Sequence, residues 1–306
     1  MEAVIKSFKN LYFGEGIIKK HLLLLLLLFI PSVLWALSSI TDKDTPEKLL
    51  LVIALILLPL IVLSIIPLIW LLGYGICFVK DRLNDVVGIP QVNFNMLKQG
   101  FKVLPLTIVW TLYFGTVFIV LFALPFVPAL IHLANGVKHS TVDLVFAAVG
   151  LMLVVLIMFA LCILVLPFYN YIIIEYVKNG NRGYLYNPAR LVKYMKAAFK
   201  DTLIVFGKFL VVGLVFAVPV GVLSFFVFMV NATLIMIVIA SYNSSEDITP
   251  YAIITLLIVV FLGVVIKLIQ MYVNTIVGNA ASENYVNVYK EKIENVTEEN
   301  EEATQI

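Results

Sequence analysis

Residues 145–174 read VFAAVGLMLVVLIMFALCILVLPFYNYIII, a run of thirty residues without a charged side chain. A helix crosses the hydrocarbon core of a bilayer, about 30 Å thick, with about 20 apolar residues, because it satisfies its own backbone N–H and C=O groups. Since this run exceeds that length, it predicts a membrane-spanning helix. The chain is therefore expected to be an integral membrane protein.

The composition of the whole chain indicates the same class. Of its 306 residues, 62% are hydrophobic and only 13% are charged. Soluble proteins have about half apolar and a quarter charged residues. The mean hydropathy is +1.06. Because the chain is so hydrophobic, we expect lipid to be its main solvent. The net charge of +2 gives no indication of nucleic-acid binding.

Further apolar runs of similar length predict an all-α fold with six transmembrane helices. The predicted spans lie near 22–41, 49–79, 103–134, 142–177, 203–240 and 251–278. Several runs are longer than a straight crossing needs, so these helices are expected to tilt, kink or extend into the interface. The run 203–240 contains Pro219 and Gly221, where the helix could bend. We expect this run to form one span, and the alternative is that it forms two re-entrant segments.

The distribution of Lys and Arg predicts the orientation of these spans. Sixteen of the 21 basic residues lie in the N-terminal segment, the 80–102 loop, the 178–200 loop and the C-terminal segment. Because basic residues resist translocation, these four segments are expected on the cytoplasmic side. The prediction is a multi-pass protein of the cell membrane with both termini in the cytoplasm. A cleaved signal peptide ending near Ala36-Leu37-Ser38 is the alternative, but its removal would leave an odd number of spans.

A short basic pattern recurs along the chain. Residues 97–102, LKQGFK, return as MKAAFK at 195–200, an offset of 98, and IKSFK at 5–9 is a shorter version. Each copy precedes two predicted spans. The pattern predicts three repeated units, each consisting of a short amphipathic interfacial helix and a helical hairpin. The alternative is that Phe and Lys are simply common beside membranes.

The basic residues of two of these short helices form a candidate surface for anionic lipid or for a membrane-protein partner. The third predicted helix opens at Asn187-Pro188, a favourable N-terminal pair. Anionic headgroups attract each nearby Lys or Arg with roughly 1 kcal/mol. The candidate residues are Lys98, Lys102, Arg190, Lys193, Lys196 and Lys200.

Polar residues inside the sixth predicted span form a candidate polar path. Lys267, Gln270 and Asn274 lie on one helical face, and Glu175 in the fourth span is a candidate buried partner. Ionisable residues within a bilayer are costly, so a hydrophilic path is one interpretation of such a stripe. Because the charge lies near the cytoplasmic end, we expect instead a stripe that neighbouring helices cover.

The sequence offers no pattern for catalysis, a cofactor or a metal. His21, His132 and His139 lack metal-binding spacing, and Cys77 and Cys162 fall in apolar runs as packing residues. We therefore expect that the protein is not an enzyme. The membrane domain is predicted over 1–290, and the Glu-rich 291–306 segment is predicted to be a disordered cytoplasmic tail.

A set of short motifs is spread over the loops and helix ends of the chain. The motifs are Gly73-Tyr74, Lys80, Arg82, Ile89-Pro90, Leu97, Gly100-Phe101-Lys102, Tyr176, Asn179-Gly180-Asn181 and Ala198-Phe199. Together they resemble a prokaryotic membrane family known as domain of unknown function four thousand and thirteen. The resemblance covers about residues 20–285 and implies a multi-span bacterial or archaeal membrane protein, but it implies no activity, substrate or catalytic residue.

Two functions remain open at this level. The leading prediction is a non-enzymatic scaffold that organises lipid or holds a membrane partner, because basic amphipathic helices are prominent and reactive groups are scarce. The alternative is a transporter or channel component with a polar path near Lys267.

Overall fold

A computed structural model describes residues 1–38, 47–123, 125, 127, 141–242 and 249–294. Within these ranges the chain is helical and has no strand. The predicted tail beyond residue 294, parts of the predicted spans 22–41 and 103–134, and His132 and His139 lie outside the described residues. The helices are α1 Glu2–Leu11, α2 Ile17–Ser38, α3 Glu47–Leu83, α4 Phe94–Ala123, α5 Thr141–Asn179, α6 Ala189–Tyr242 and α7 Thr249–Val288.

Four helices in the described residues are long and apolar enough to cross a membrane. They comprise Phe94–Ala123, Ala148–Asn179, Ala189–Thr233 and Leu257–Ile293. These segments overlap the third to sixth predicted spans, α2 overlaps the first predicted span, and the second lies within α3. The apolar helices indicate a membrane protein, as the hydropathy of the sequence predicts.

The helix α6 combines two predicted elements. Its backbone departs from helical geometry at Ala198, with φ −139° and ψ 29°, so a short helix precedes the long apolar one. The amide of Ala189 donates to Oδ1 of Asn187 at 2.9 Å, which is the N-terminal cap expected at Asn187-Pro188. Beyond Ala198 the helix continues through Pro219, and this continuity disfavours two re-entrant pieces.

The described chain forms two compact units. The first consists of Met1–Phe101 and Gly207–Asn284, and the second of Lys102–Phe206 and Tyr285–Ile306. In the first unit α1 is amphipathic, as predicted, because Val4, Ser7 and Leu11 are buried at a helical spacing. In the second unit the large buried side chains are aromatic, and they include Trp110, Phe168, Tyr171, Tyr194 and Tyr289.

Two glycines bring α3 and α4 unusually close in the first unit. A Cβ atom on Gly73 would lie 2.6 Å from the carbonyl carbon of Met96 and 2.8 Å from the amide nitrogen of Gly100. A Cβ atom on Gly100 would lie 2.8 Å from the carbonyl carbon of Ile69. Small residues let helix backbones approach in this way. The end of α3 is therefore packed directly on the start of α4.

Candidate functional site

A buried ion pair connects the end of α3 to α7 in the first unit. Nε of Arg82 donates to Oε2 of Glu283 at 2.8 Å, and the two side chains are only 5% and 9% exposed. Nδ2 of Asn10 donates to Oε1 of the same carboxylate at 2.7 Å. Both oxygens of Glu283 are thus occupied, which offsets the cost of burying its charge.

Arg82 also holds the loop between α3 and α4. Its guanidinium donates to the carbonyl of Val86 and, at 3.0 Å, to the carbonyl of Gly88, and it lies 4.6 Å from the ring centroid of Phe78. Gly88 has a φ of +93°, a value that favours glycine, and its amide donates to the carbonyl of Asn10 at 2.9 Å. Arg82 therefore holds the loop against α7, and Asn10 of α1 bonds to both the loop and Glu283.

Two more buried amides extend this polar face of α7. Nδ2 of Asn279 donates to the hydroxyl of Tyr74 at 2.9 Å, and Nδ2 of Asn284 donates to Oγ of Ser7 at 2.8 Å. Such buried hydrogen bonds position helices against one another. The C-terminal part of α7 is a structural junction with α1 and α3, which hydropathy alone does not predict.

The second unit contains its own buried ion pair. Glu175 is fully buried and pairs with the guanidinium of Arg190. Nε of Arg190 lies 3.4 Å from Oε2 of Glu175. The guanidinium lies 4.6 Å from the ring centroid of Tyr184 and 5.8 Å from that of Tyr194. The structure thus joins two residues that the sequence pattern assigned to different sites, the polar path and the basic surface.

Tyrosines surround this pair. The hydroxyl of Tyr171 lies 2.7 Å from that of Thr202, and the ring of Tyr171 lies 5.8 Å from Tyr194 and 6.4 Å from Tyr289. Burial raises the pKa of Tyr184, and the negative charge of Glu175 raises it further. Both effects favour the neutral phenol of Tyr184 over the phenolate.

Four of the predicted surface lysines are exposed and flank exposed phenylalanines. Lys98 and Lys102 lie on either side of Phe101, which is 54% exposed, on α4. The same arrangement occurs on α6, where Phe199 is 43% exposed. We call residues 98–102 and 196–200 the two Lys-Phe segments, the second containing Lys196 and Lys200. Lys193, also predicted for this surface, is half-buried.

The predicted polar stripe is present on α7. Nζ of Lys267 donates to Oε1 of Gln270 at 3.1 Å. Gln270 and Asn274 line a cavity of about 410 Å³ between α6 and α7 in the first unit. Glu175, the fourth residue of the predicted path, belongs to the second unit and pairs with Arg190.

His21, near the start of α2, lies between two tyrosines. Nδ1 of His21 lies 2.6 Å from the hydroxyl of Tyr272, and its ring stacks on Tyr12 with centroids 4.9 Å apart. Among the described residues, no group of three His, Cys, Asp or Glu side chains is placed to hold a metal. The contacts with Tyr12 and Tyr272 make His21 a packing residue.

Within the described residues, the two Lys-Phe segments and the cavity between α6 and α7 are accessible for binding. The buried carboxylates Glu175 and Glu283 are each paired with an arginine. No family model, no curated protein and no solved structure matches this chain.

Proposed function

We propose that this chain is a non-enzymatic, multi-pass membrane protein that organises anionic lipid on the cytoplasmic side of the cell membrane. The observation that carries the proposal is the pair of Lys-Phe segments, in which each exposed phenylalanine is flanked by two exposed lysines. An aromatic ring enters the headgroup boundary, while lysine side chains reach anionic headgroups. Together the two interactions favour a charged lipid surface over a neutral one.

The same proposal includes six spans and three repeated units. Contacts within the two compact units support the repeat. Gly73 approaches Met96 in the first compact unit, and Tyr171 contacts Tyr194 in the second. Both pairs are related by the sequence offset of 98. The contact of Ser7 with Asn284 adds a third junction between a short helix and the end of a long one. The basic N-terminal helix α1 supports placing the N-terminus in the cytoplasm, and an even number of spans then places the C-terminus there as well.

Removing the charge of the Lys-Phe segments tests the proposal. Replacing Lys98, Lys102, Lys196 and Lys200 together with Gln is expected to lower the enrichment of phosphatidylglycerol over phosphatidylcholine by more than about tenfold, since each lysine contributes roughly 1 kcal/mol near an anionic surface and about 1.4 kcal/mol corresponds to tenfold. The measurement is quantitative mass spectrometry of the lipids retained by protein purified from vesicles containing both phospholipids.

The matched control replaces the same four lysines with Arg, which keeps the charge and should keep the enrichment. Size-exclusion chromatography of each variant shows whether the fold survives. Equal enrichment in the Gln variant, the Arg variant and the unaltered protein would contradict the proposal.

A transporter or channel component is the second candidate, because Gln270 and Asn274 line a cavity and Lys267 contacts Gln270. A path for ions would change when Lys267 changes, whereas a scaffold would not. We expect Lys267→Ala and the unaltered protein to give the same current as protein-free planar bilayers in KCl. Lys208→Ala, at another half-buried lysine of a long helix, is the control. A current that Lys267→Ala alters and Lys208→Ala does not would favour the second candidate.

A further inference from the structure

The cavity between α6 and α7 owes its volume to glycines. Gly213 and Gly221 on α6 and Gly278 on α7 line it, and its volume of about 410 Å³ lies within the range of ligand-binding pockets. A Cβ atom added at any of these three positions would meet no other atom within 4 Å. Close helix packing therefore does not require these glycines. Their effect is to leave space that larger side chains would fill.

The cavity is mainly apolar but contains amide groups. The side chain of Asn274 is exposed, and its side-chain amide makes no hydrogen bond to any described residue. Gln270 accepts a hydrogen bond from Lys267 through Oε1, while Oγ of Ser224 donates to the carbonyl of Val220 at 2.7 Å. At the proposed membrane depth an exposed amide faces lipid instead of water, and an amide without a partner there costs free energy. The arrangement thus favours a largely apolar ligand with a hydrogen-bond acceptor.

The position of the cavity identifies a source for such a ligand. With a rise of about 1.5 Å per residue, the lining residues 270–278 cover about 12 Å of α7, and residues 213–224 cover about 16 Å of α6. One leaflet contributes about 15 Å of hydrocarbon. Gly278 lies at the end of the predicted span 251–278, on the proposed cytoplasmic side. The α7 wall of the cavity therefore corresponds in depth to the acyl chains and ester groups of the cytoplasmic leaflet, while the α6 wall reaches further toward the bilayer centre.

We infer that this cavity binds one acyl chain of a glycerolipid from the cytoplasmic leaflet and that Nδ2 of Asn274 donates to its ester carbonyl. The inference rests on the membrane orientation proposed above, and it is separate from the two Lys-Phe segments. Because Gln270, Asn274 and Ser224 are uncharged, the site selects the chain and its ester linkage rather than the headgroup.

Photocrosslinking in proteoliposomes tests this inference. The probe is phosphatidylcholine with a diazirine on one acyl chain, and labelled peptides are identified by mass spectrometry. Peptides covering 213–224 and 270–278 should be labelled above the level of other lipid-facing peptides. Gly278→Leu, which fills the cavity, should reduce this labelling to the background level. Asn274→Leu should reduce it about fivefold, the effect of one lost hydrogen bond.

Gly115→Leu is the matched control, because Gly115 lies in the apolar helix α4 and a Cβ there also meets no atom within 4 Å. It should leave the labelling of the cavity peptides unchanged. The Gln variant of the four lysines should also leave it unchanged, so failure of the proposed function and failure of this inference are distinguishable. Equal labelling in Gly278→Leu and the unaltered protein would overturn the inference. The inference would also be overturned if a water-soluble solute protected the cavity peptides from labelling and unlabelled phosphatidylcholine did not.

Discussion

Arg82→Ala is expected to lower the free energy of unfolding by about 3–5 kcal/mol, the usual effect of removing one partner of a buried ion pair. The loss is large because Glu283 would keep a buried charge with only Asn10 as its neutral partner. The carbonyls of Val86 and Gly88 would lose their donor as well. Chemical denaturation in detergent micelles, followed by tryptophan fluorescence, measures the change.

Two further variants give the Arg82 experiment its controls. Arg182→Ala removes an exposed arginine that donates to the carbonyl of Asn179, and it should change stability by less than about 1 kcal/mol. The double variant Arg82→Leu with Glu283→Leu removes both charges and should recover part of the loss, because no unpaired charge remains. A single Arg82→Ala variant as stable as Arg182→Ala would refute the structural role of the pair.

Gly73→Ala is expected to destabilise the protein by about 3 kcal/mol, the upper end of the usual range for overpacking. The added methyl group would overlap the carbonyl oxygen of Met96 and lie 2.8 Å from the amide nitrogen of Gly100. Because these obstructing atoms belong to the backbone of α4, no side-chain rotation relieves the clash. The helices must separate, and the temperature of thermal unfolding should fall.

Gly75→Ala supplies the matched control two residues further along the same helix. An added Cβ atom meets nothing within 4 Å there, and alanine is about 1 kcal/mol better than glycine in a helix interior. This variant should therefore unfold at the same temperature as the unaltered protein or at a higher one. If Gly73→Ala and Gly75→Ala had equal unfolding temperatures, the close approach of α3 and α4 would be refuted.

Much of the local architecture is predictable from the sequence. The apolar runs predict the four long helices, since a helix in lipid must satisfy its own backbone over a length set by the bilayer. The Asn187-Pro188 pair predicts the start of a short helix because its signal lies in neighbouring residues. Exposure of Lys98, Lys102, Lys196 and Lys200 follows from the helical periodicity of the residues around them.

The candidate sites were less predictable, and the basic residues show why. Arg190 and Lys196 are six positions apart, and each contributes one positive charge to the pattern of basic residues. In the structure, however, Arg190 pairs with buried Glu175, whereas Lys196 is exposed. The sequence pattern also separated Glu175 from Arg190, which lies 15 positions away on another helix. Partner choice depends on which helix faces pack together, and charge counting carries no such information.

The sequence by itself determined that this chain is helical and apolar enough for a membrane, and where its basic segments lie. These properties depend on composition and on spacing within one helix. Only the tertiary structure decided that Arg82 pairs with Glu283, 201 positions away, that Gly73 meets α4 and that Gly278 lines a cavity. The reason is physical: a glycine or an arginine has the same local preferences wherever it stands, and its role is set by the atoms that packing brings beside it.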